Sequence, residues 1–332
     1  MKRIFLKTVV AAAALSALGL AQAQTRTIKF ANQNAEGHPI VLGMQKFAEI
    51  VAAKSGGKLK VNVFPGGALG SDQANLSALQ GGTLEMASMN SGIFASVVKD
   101  FAIYDFPFLF GNAKEADAVV DGPFGTGLHK KLEDKGLVGL AYYELGFRQL
   151  TNSKRAVAKV EDIAGLKLRV IPNPINIDWV TALGANPTPL PFPELYAALE
   201  QKAVDGQENP VATIRGAKLY EVQKYMTLTN HQYNPQSVVI SKRFWDSLSA
   251  DEKKVLQDAA TESAKYEREQ SRAQAASILE ELKKAGMQVT ELPPAEVTKL
   301  RDKMKPVIAK HSASVGEATV SAVMAELDKA RK

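Results

Sequence analysis

Two arginines stand where an anion could be held. Arg169 lies in Leu166-Lys-Leu-Arg-Val170, a strand pattern in which Lys167 and Arg169 share the face opposite Leu166, Leu168 and Val170. An arginine placed this way is either a solvated edge residue or a buried anion clamp, and its apolar neighbours favour the clamp. Arg148 follows Gly146-Phe147, just beyond the strand pattern Leu137 to Tyr143. A guanidinium is a planar fork that matches a carboxylate through two parallel hydrogen bonds. Amides and aromatic rings accompany the arginines: Asn90 at the end of the strand Leu84 to Met89, then Phe192, then Gln207-Glu208-Asn209. In open α/β sheets such strand ends face the ligand crevice, although a turn-capping role for Asn90 fits equally well.

Other chemistries find no support. His38, His129, His231 and His311 lack metal-ligand spacing, and the chain contains no cysteine, so neither a disulfide framework nor a lipid-anchored cysteine is possible. No nucleophile elbow occurs. The turn Pro65-Gly-Gly-Ala-Leu-Gly70 lacks the lysine that a phosphate loop would carry. No cofactor is expected. Lys2, Arg3 and Lys7 precede the apolar run Val9 to Leu20 and the small-x-small site Ala21-Gln22-Ala23, which reads as a signal peptide over residues 1–23. Its removal lowers the formal charge from +6 to +3. The remaining excess is dispersed and argues against a nucleic-acid partner. An exported, cysteine-free chain points to the bacterial periplasm.

The elements that must position these groups are α/β. Thr27 to Phe30, a helix from Pro39 to Lys54 and the alternating Lys58 to Phe64 give β-α-β, hence a parallel pair. Pro187, Pro189, Pro191 and Pro193 enforce an extended segment; a short helix opening at Pro193 runs until Asp205-Gly206, and a polar loop from Gln207 to Asn209 follows. Phe101 to Phe110 reads as a buried aromatic connection. From the capping box at Ser249 and Glu252, nothing breaks a helix until Gly286, about 54 Å at 1.5 Å per residue, long enough to brace two domains. Two further helices fill Pro294 to Lys332, with a kink or break expected near Pro306.

Gly-Phe-Arg-Gln-Leu-Thr-Asn (146–152), Leu-Lys-Leu-Arg-Val (166–170), Phe-Pro-Glu-Leu-Tyr-Ala-Ala-Leu (192–199) and Val-Asp-Gly-Gln-Glu-Asn-Pro (204–210) together resemble the solute receptors of tripartite ATP-independent periplasmic (TRAP) transporters, the DctP family. The resemblance covers essentially the whole mature chain. It implies a two-domain periplasmic binding protein, type II-like, with a long bracing helix spanning both domains. The domains would be discontinuous: 24–146 plus 235–274, and 147–234 plus 275–332. It implies that Arg169 grips a ligand carboxylate by two prongs, that Asn209 supports the same carboxylate, that Arg148 is a second contact and that Phe192 packs on the solute. Gln33, Gln73 and Asn90 match variable polar positions that read the distal part, with His38 and His231 as weaker ligand-binding candidates for which a structural or water-bridging role fits at least as well. The expected protein is a monomeric receptor, not an enzyme, that closes around a small carboxylate and delivers it to membrane subunits. Amides rather than a further arginine at the far end favour a sugar acid such as a hexuronate or aldonate; a C4-dicarboxylate, an aromatic acid or a signalling partner are the alternatives.

Overall fold

A computed structural model describes residues 25–332, so the leader expected over 1–23 lies outside the described residues. The strands are β1 (Arg26–Ala31), β2 (Leu59–Phe64), β3 (Met86–Asn90), β4 (Leu137–Phe147), β5 (Gln149–Asn152), β6 (Lys167–Val170), β7 (Asn186–Pro189), β8 (Gly206–Asn209), β9 (Tyr225–Leu228), β10 (Tyr233–Ser241) and β11 (Gln288–Glu291). They form two sheets, ordered β2-β1-β3-β10-β4 and β11-β9-β5-β8-β6-β7. β1 and β2 pair in parallel, Ile28 opposite Val61, as β-α-β requires.

Helix α1 (Pro39–Lys54) begins with His38 as its cap and Pro39 at its first position. Ile40, Met44, Phe47 and Val51 recur on one face and bury against Ile28 and Phe30. Helix α2 (Asp72–Gly81) leads from the glycine turn into β3. The Ala113 to Lys135 region divides into α3 (Ala113–Val120) and α4 (Pro123–Lys131), with Pro123 opening the second. α5 (Pro174–Ala182), α6 (Leu195–Glu200) and α7 (Val211–Gly216) flank the second sheet. α8 (Lys242–Asp246) then precedes α9 (Ala250–Lys284), whose Ser249–Glu252 capping box is formed in both directions. Leu256, Ala259, Ala260 and Ala264 of α9 enter the core of the first sheet, whereas Ile278 and Leu282 enter a core with Leu195, Leu199 and Ile214. The 35-residue helix therefore braces both halves.

The chain crosses between the sheets at two adjacent places. β4 ends at Phe147 and β5 begins at Gln149; β9 ends at Leu228 and β10 begins at Tyr233. Gly146, with φ of +106°, supplies the backbone turn that a side chain would resist before the first crossing. Arg148 N–H donates to Gln232 C=O at 2.9 Å, tying the crossings together. The aromatic segment packs beneath them: Phe101 and Tyr104 are fully buried, and Asp105 accepts from Asn173 Nδ2 (2.6 Å) and Asn234 Nδ2 (3.1 Å).

Several local expectations change. Gln207-Glu208-Asn209 is not a loop: it is buried strand β8, antiparallel to β5 with Asn209 opposite Gln149. Polar residues are tolerated there because neighbouring side chains satisfy them, as when Gln207 Nε2 donates to Thr151 Oγ1 at 2.8 Å. The helix expected from Pro193 to Gly206 is confined to Leu195–Glu200, preceded by a 3₁₀ turn at Phe192–Glu194. Pro306 lies inside α10 (Pro294–Val315); the break falls at Gly316, with φ of +107°, before α11 (Glu317–Ala330).

Candidate functional site

The second sheet presents Arg169. Its strand β6 pairs in parallel with β7, Arg169 opposite Thr188, and β7 is the sheet edge, where Pro187 and Pro189 cost no ladder bond. Leu190 precedes Pro191 and is therefore held extended. Its carbonyl accepts from Arg169 Nε at 2.8 Å. That bond uses one of five guanidinium N–H groups. Nη1 and Nη2 have no hydrogen-bond partner among the described residues and face a pocket with Phe192 and Asn209 on its wall. The Arg169 guanidinium carbon lies 5.8 Å from the Phe192 ring centroid, within cation–π range. Burial pulls Arg169 down to about 10, against the pull of Glu208, so the group is charged at neutral pH. A buried charge of this kind needs an anion to complete it.

Arg148 has the opposite environment. Its Nε pairs with Glu208 Oε2, Nη2 donates to Glu208 Oε1 (2.9 Å) and to Glu208 C=O (2.6 Å), and Nη1 donates to Asn234 Oδ1 (3.1 Å). Both partners are 1% exposed. Burial alone would raise the Glu208 carboxyl, but Arg148 and His231 hold it down at about 2. His231 Nε2 stands 3.3 Å from Glu208 Oε2, and its Nδ1 bonds Thr229 Oγ1 at 2.8 Å. Arg148 thus reaches the pocket with its charge already balanced, and Arg169 carries the uncompensated one.

The first sheet supplies an uncharged wall. Gln33 and Asn34 follow β1, Asn90 ends β3, and Gln236 lies in β10. The amide nitrogens of Asn34, Asn90 and Gln236 are buried without a partner among the described residues. Asn90 Oδ1 is occupied, accepting from Gly92 N at 2.9 Å, so its turn-capping role and its place on the wall coexist. Behind this wall, Asp72 accepts from Gln33 Nε2 and from Asn90 N, both at 3.1 Å. Burial raises its carboxyl to about 7, with the Asn90 N–H and Arg169 opposing. Three unpaired amide donors are suited to hydroxyl or carbonyl oxygens.

Of the residues singled out by sequence, Arg169, Arg148, Asn209, Phe192, Asn90 and Gln33 line one pocket. Gln73 is half-buried on α2 and does not line it; His231 lies behind the Arg148–Glu208 pair, and His38 at the edge, bonded to Thr213. Asn34, Gln236 and Thr213 also line the pocket and were not singled out. Asn34 sits in a polar loop and gave a weak signal; Gln236 is masked by its strand, and Thr213 by its short helix. The walls meet closely, leaving about 10 Å³, roughly the room of one water. A larger cleft of about 1040 Å³ runs between β4, α4 and α9. Its two arginines are already paired, Arg268 with Asp121 at 2.5 Å and Arg272 with Asp117 at 2.7 Å. Among the described residues no metal-holding cluster occurs and no helix is long and apolar enough to cross a membrane.

The family model for bacterial extracellular solute-binding protein, family 7 (DctP) matches residues 30–314. A TRAP periplasmic solute-binding protein from Ochrobactrum anthropi is 58% identical, with a TM-score of 0.83 over 93% of this chain and 97% of that one. The sugar acid binding protein DctPAm from Advenella mimigardefordensis, solved with galactonate, is 43% identical, with a TM-score of 0.91 over 92% of this chain and 99% of that one. The 2,3-diketo-L-gulonate-binding periplasmic protein YiaO of Escherichia coli is 36% identical over 83% of this chain and 84% of its own.

Proposed function

This chain belongs to family 7 of the bacterial extracellular solute-binding proteins, the DctP family, and we propose that its cleft captures a sugar acid, an aldonate or hexuronate, gripped at the carboxylate by Arg169. It is a periplasmic receptor of the TRAP type rather than an enzyme, and such receptors deliver their solute to membrane subunits. The observation that carries the ligand reading is the contrast between the arginines: Arg148 is neutralised by Glu208, while Arg169 keeps two free Nη groups beside Asn209 and Phe192. One uncompensated positive charge suits one carboxylate. Galactonate and 2,3-diketo-L-gulonate, the solutes named for two relatives, are both oxygen-rich acids of this kind.

Asn209 reaches the carboxylate from β8, with its own amide nitrogen held by Gln207 Oε1 at 2.6 Å. Asn34, Asn90 and Gln236 donate to the hydroxyl oxygens of the tail, and Gln33 sits among them. A dicarboxylate would instead bring its second charge towards amides backed by Asp72, with no second free guanidinium lining the pocket among the described residues. Because the walls nearly touch, a solute reaches Arg169 when the lobes part about the two crossings, and it favours the closed form by binding that form better. The lobes are assigned to 24–146 plus 235–274 and to 147–234 plus 275–332; the positions of the crossings support this division.

A thermal-shift screen with D-galactonate, D-galacturonate, succinate and D-galactose tests the reading. A hundredfold excess over Kd stabilises by about 2.7 kcal/mol, a rise of several degrees. The sugar acids should raise Tm in a concentration-dependent way and galactose should not. Stabilisation by galactose alone, or by succinate alone, would contradict the assignment.

A further inference from the structure

His38 stands outside the pocket walls, yet it joins the two lobes. Its Nδ1 accepts from Ile40 N at 3.2 Å, which caps α1 and leaves that nitrogen without a proton. In a neutral ring the proton then resides on Nε2, which lies 3.1 Å from Thr213 Oγ1 and therefore donates to it. Both residues are 2% exposed. Burial, with Arg215 nearby, pulls His38 down to about 3, in keeping with a neutral ring. The two ends of this bond belong to different cores. α1 buries Ile40, Met44 and Phe47 against Ile28 and Phe30, while α7 places Ala212 and Ile214 with Leu195, Leu199 and Ile278.

A second contact crosses the mouth in the same sense. Gly67, in the glycine turn of the first lobe at φ of +72°, packs so closely that a Cβ there would lie 3.2 Å from Pro193 Cγ. Pro193 sits in the 3₁₀ turn that carries Phe192. Parting the lobes separates both pairs of atoms.

We propose that the His38–Thr213 hydrogen bond is a closure latch, a positioning contact that stabilises the closed form and sets how long a solute is retained. His38 acts through Thr213 rather than on the solute. The proposal rests on the reading that the lobes close over a bound acid, so its test has one arm that needs no solute.

His38→Asn keeps a side-chain cap for α1 but is too short to reach Thr213, and Thr213→Val removes the acceptor while keeping the shape. With D-galactonate as the probe, stopped-flow dissociation should quicken about 2- to 10-fold in each single variant, the scale of one hydrogen bond. The association rate of His38→Asn should stay within twofold, and the double variant should be no faster than the quicker single. Because the chain lacks cysteine, Lys60→Cys and Glu200→Cys can carry a fluorophore pair, one on each lobe. Energy transfer in the solute-free protein should then shift towards the open distance in both latch variants. Unchanged transfer in the latch variants overturns the latch, whether or not galactonate binds. Multiplying rate effects in the double variant also overturn it, since Thr213 would then act independently of His38. If galactonate fails to bind the parent chain while transfer still shifts, the latch stands and only the ligand reading fails.

Discussion

The two walls of the cleft are built from different currencies of attraction. The wall of the second sheet holds charge: Arg169, the Arg148–Glu208 pair and, behind them, His231. The wall of the first sheet holds dipoles: the amides of Asn34, Asn90 and Gln236, backed by a carboxyl that burial raises to about 7. A charge fixes where the head of a solute must lie, and truncating it costs a great deal. Amide dipoles discriminate among tails in small steps. The same difference separates the two arginines, alike in residue type and burial, of which only Arg169 keeps Nη groups without a partner among the described residues.

The comparison can be broken most forcefully at the balanced pair. Arg148→Met leaves Glu208 buried without its main counter-charge and should cost about 3–5 kcal/mol of folding stability, read as a lower urea midpoint at unchanged m. Arg169→Ala should instead spare the fold and remove about 2–5 kcal/mol of binding free energy, seen by titration calorimetry with D-galactonate. On the amide wall, Asn34→Ala should weaken galactonate by about 0.5–1.5 kcal/mol, roughly 2- to 10-fold, and a short acid lacking hydroxyls much less. In their response to pH the walls should differ in sign. Glu208 is held below its ordinary value, so its contribution is present above about pH 4.5 and is lost as pH falls towards 2. Asp72 is raised from 3.8 to about 7, so its burial costs stability as pH rises through that window. Asp72→Asn should therefore raise Tm more at pH 8 than at pH 4, and Glu208→Gln should flatten the acid limb. An Asp72→Asn gain that is equal at both pH values would remove the carboxyl from this account.

Much of the charged wall was legible in the sequence because its signals are local. Arg169 stands out against Leu168 and Val170, the prolines from 187 to 193 dictate an extended edge strand, and the capping box at Ser249 announces the long helix. Glu208 was misread as part of a polar loop, because three consecutive polar residues have no apolar alternation to mark a strand; β8 exists through its pairing with β5 and through Arg148, 60 residues away. The amide wall was only partly legible. Asn34, Asn90 and Gln236 come from three separate strands or loops, and nothing local records that their amides converge. A proline such as Pro306 signals a kink or a break without saying which; the helix continues through it, and the φ of +107° at Gly316 ends it.

In the proposed function Arg169 is the unneutralised cation that grips a carboxylate with two prongs. Calorimetry of Arg169→Lys with D-galactonate tests it most directly, because lysine keeps the charge and loses the fork. Binding should weaken about 100-fold or more, the scale of about 2.7 kcal/mol, with Tm of the solute-free protein little changed. Affinity near that of the parent chain would contradict the two-pronged grip.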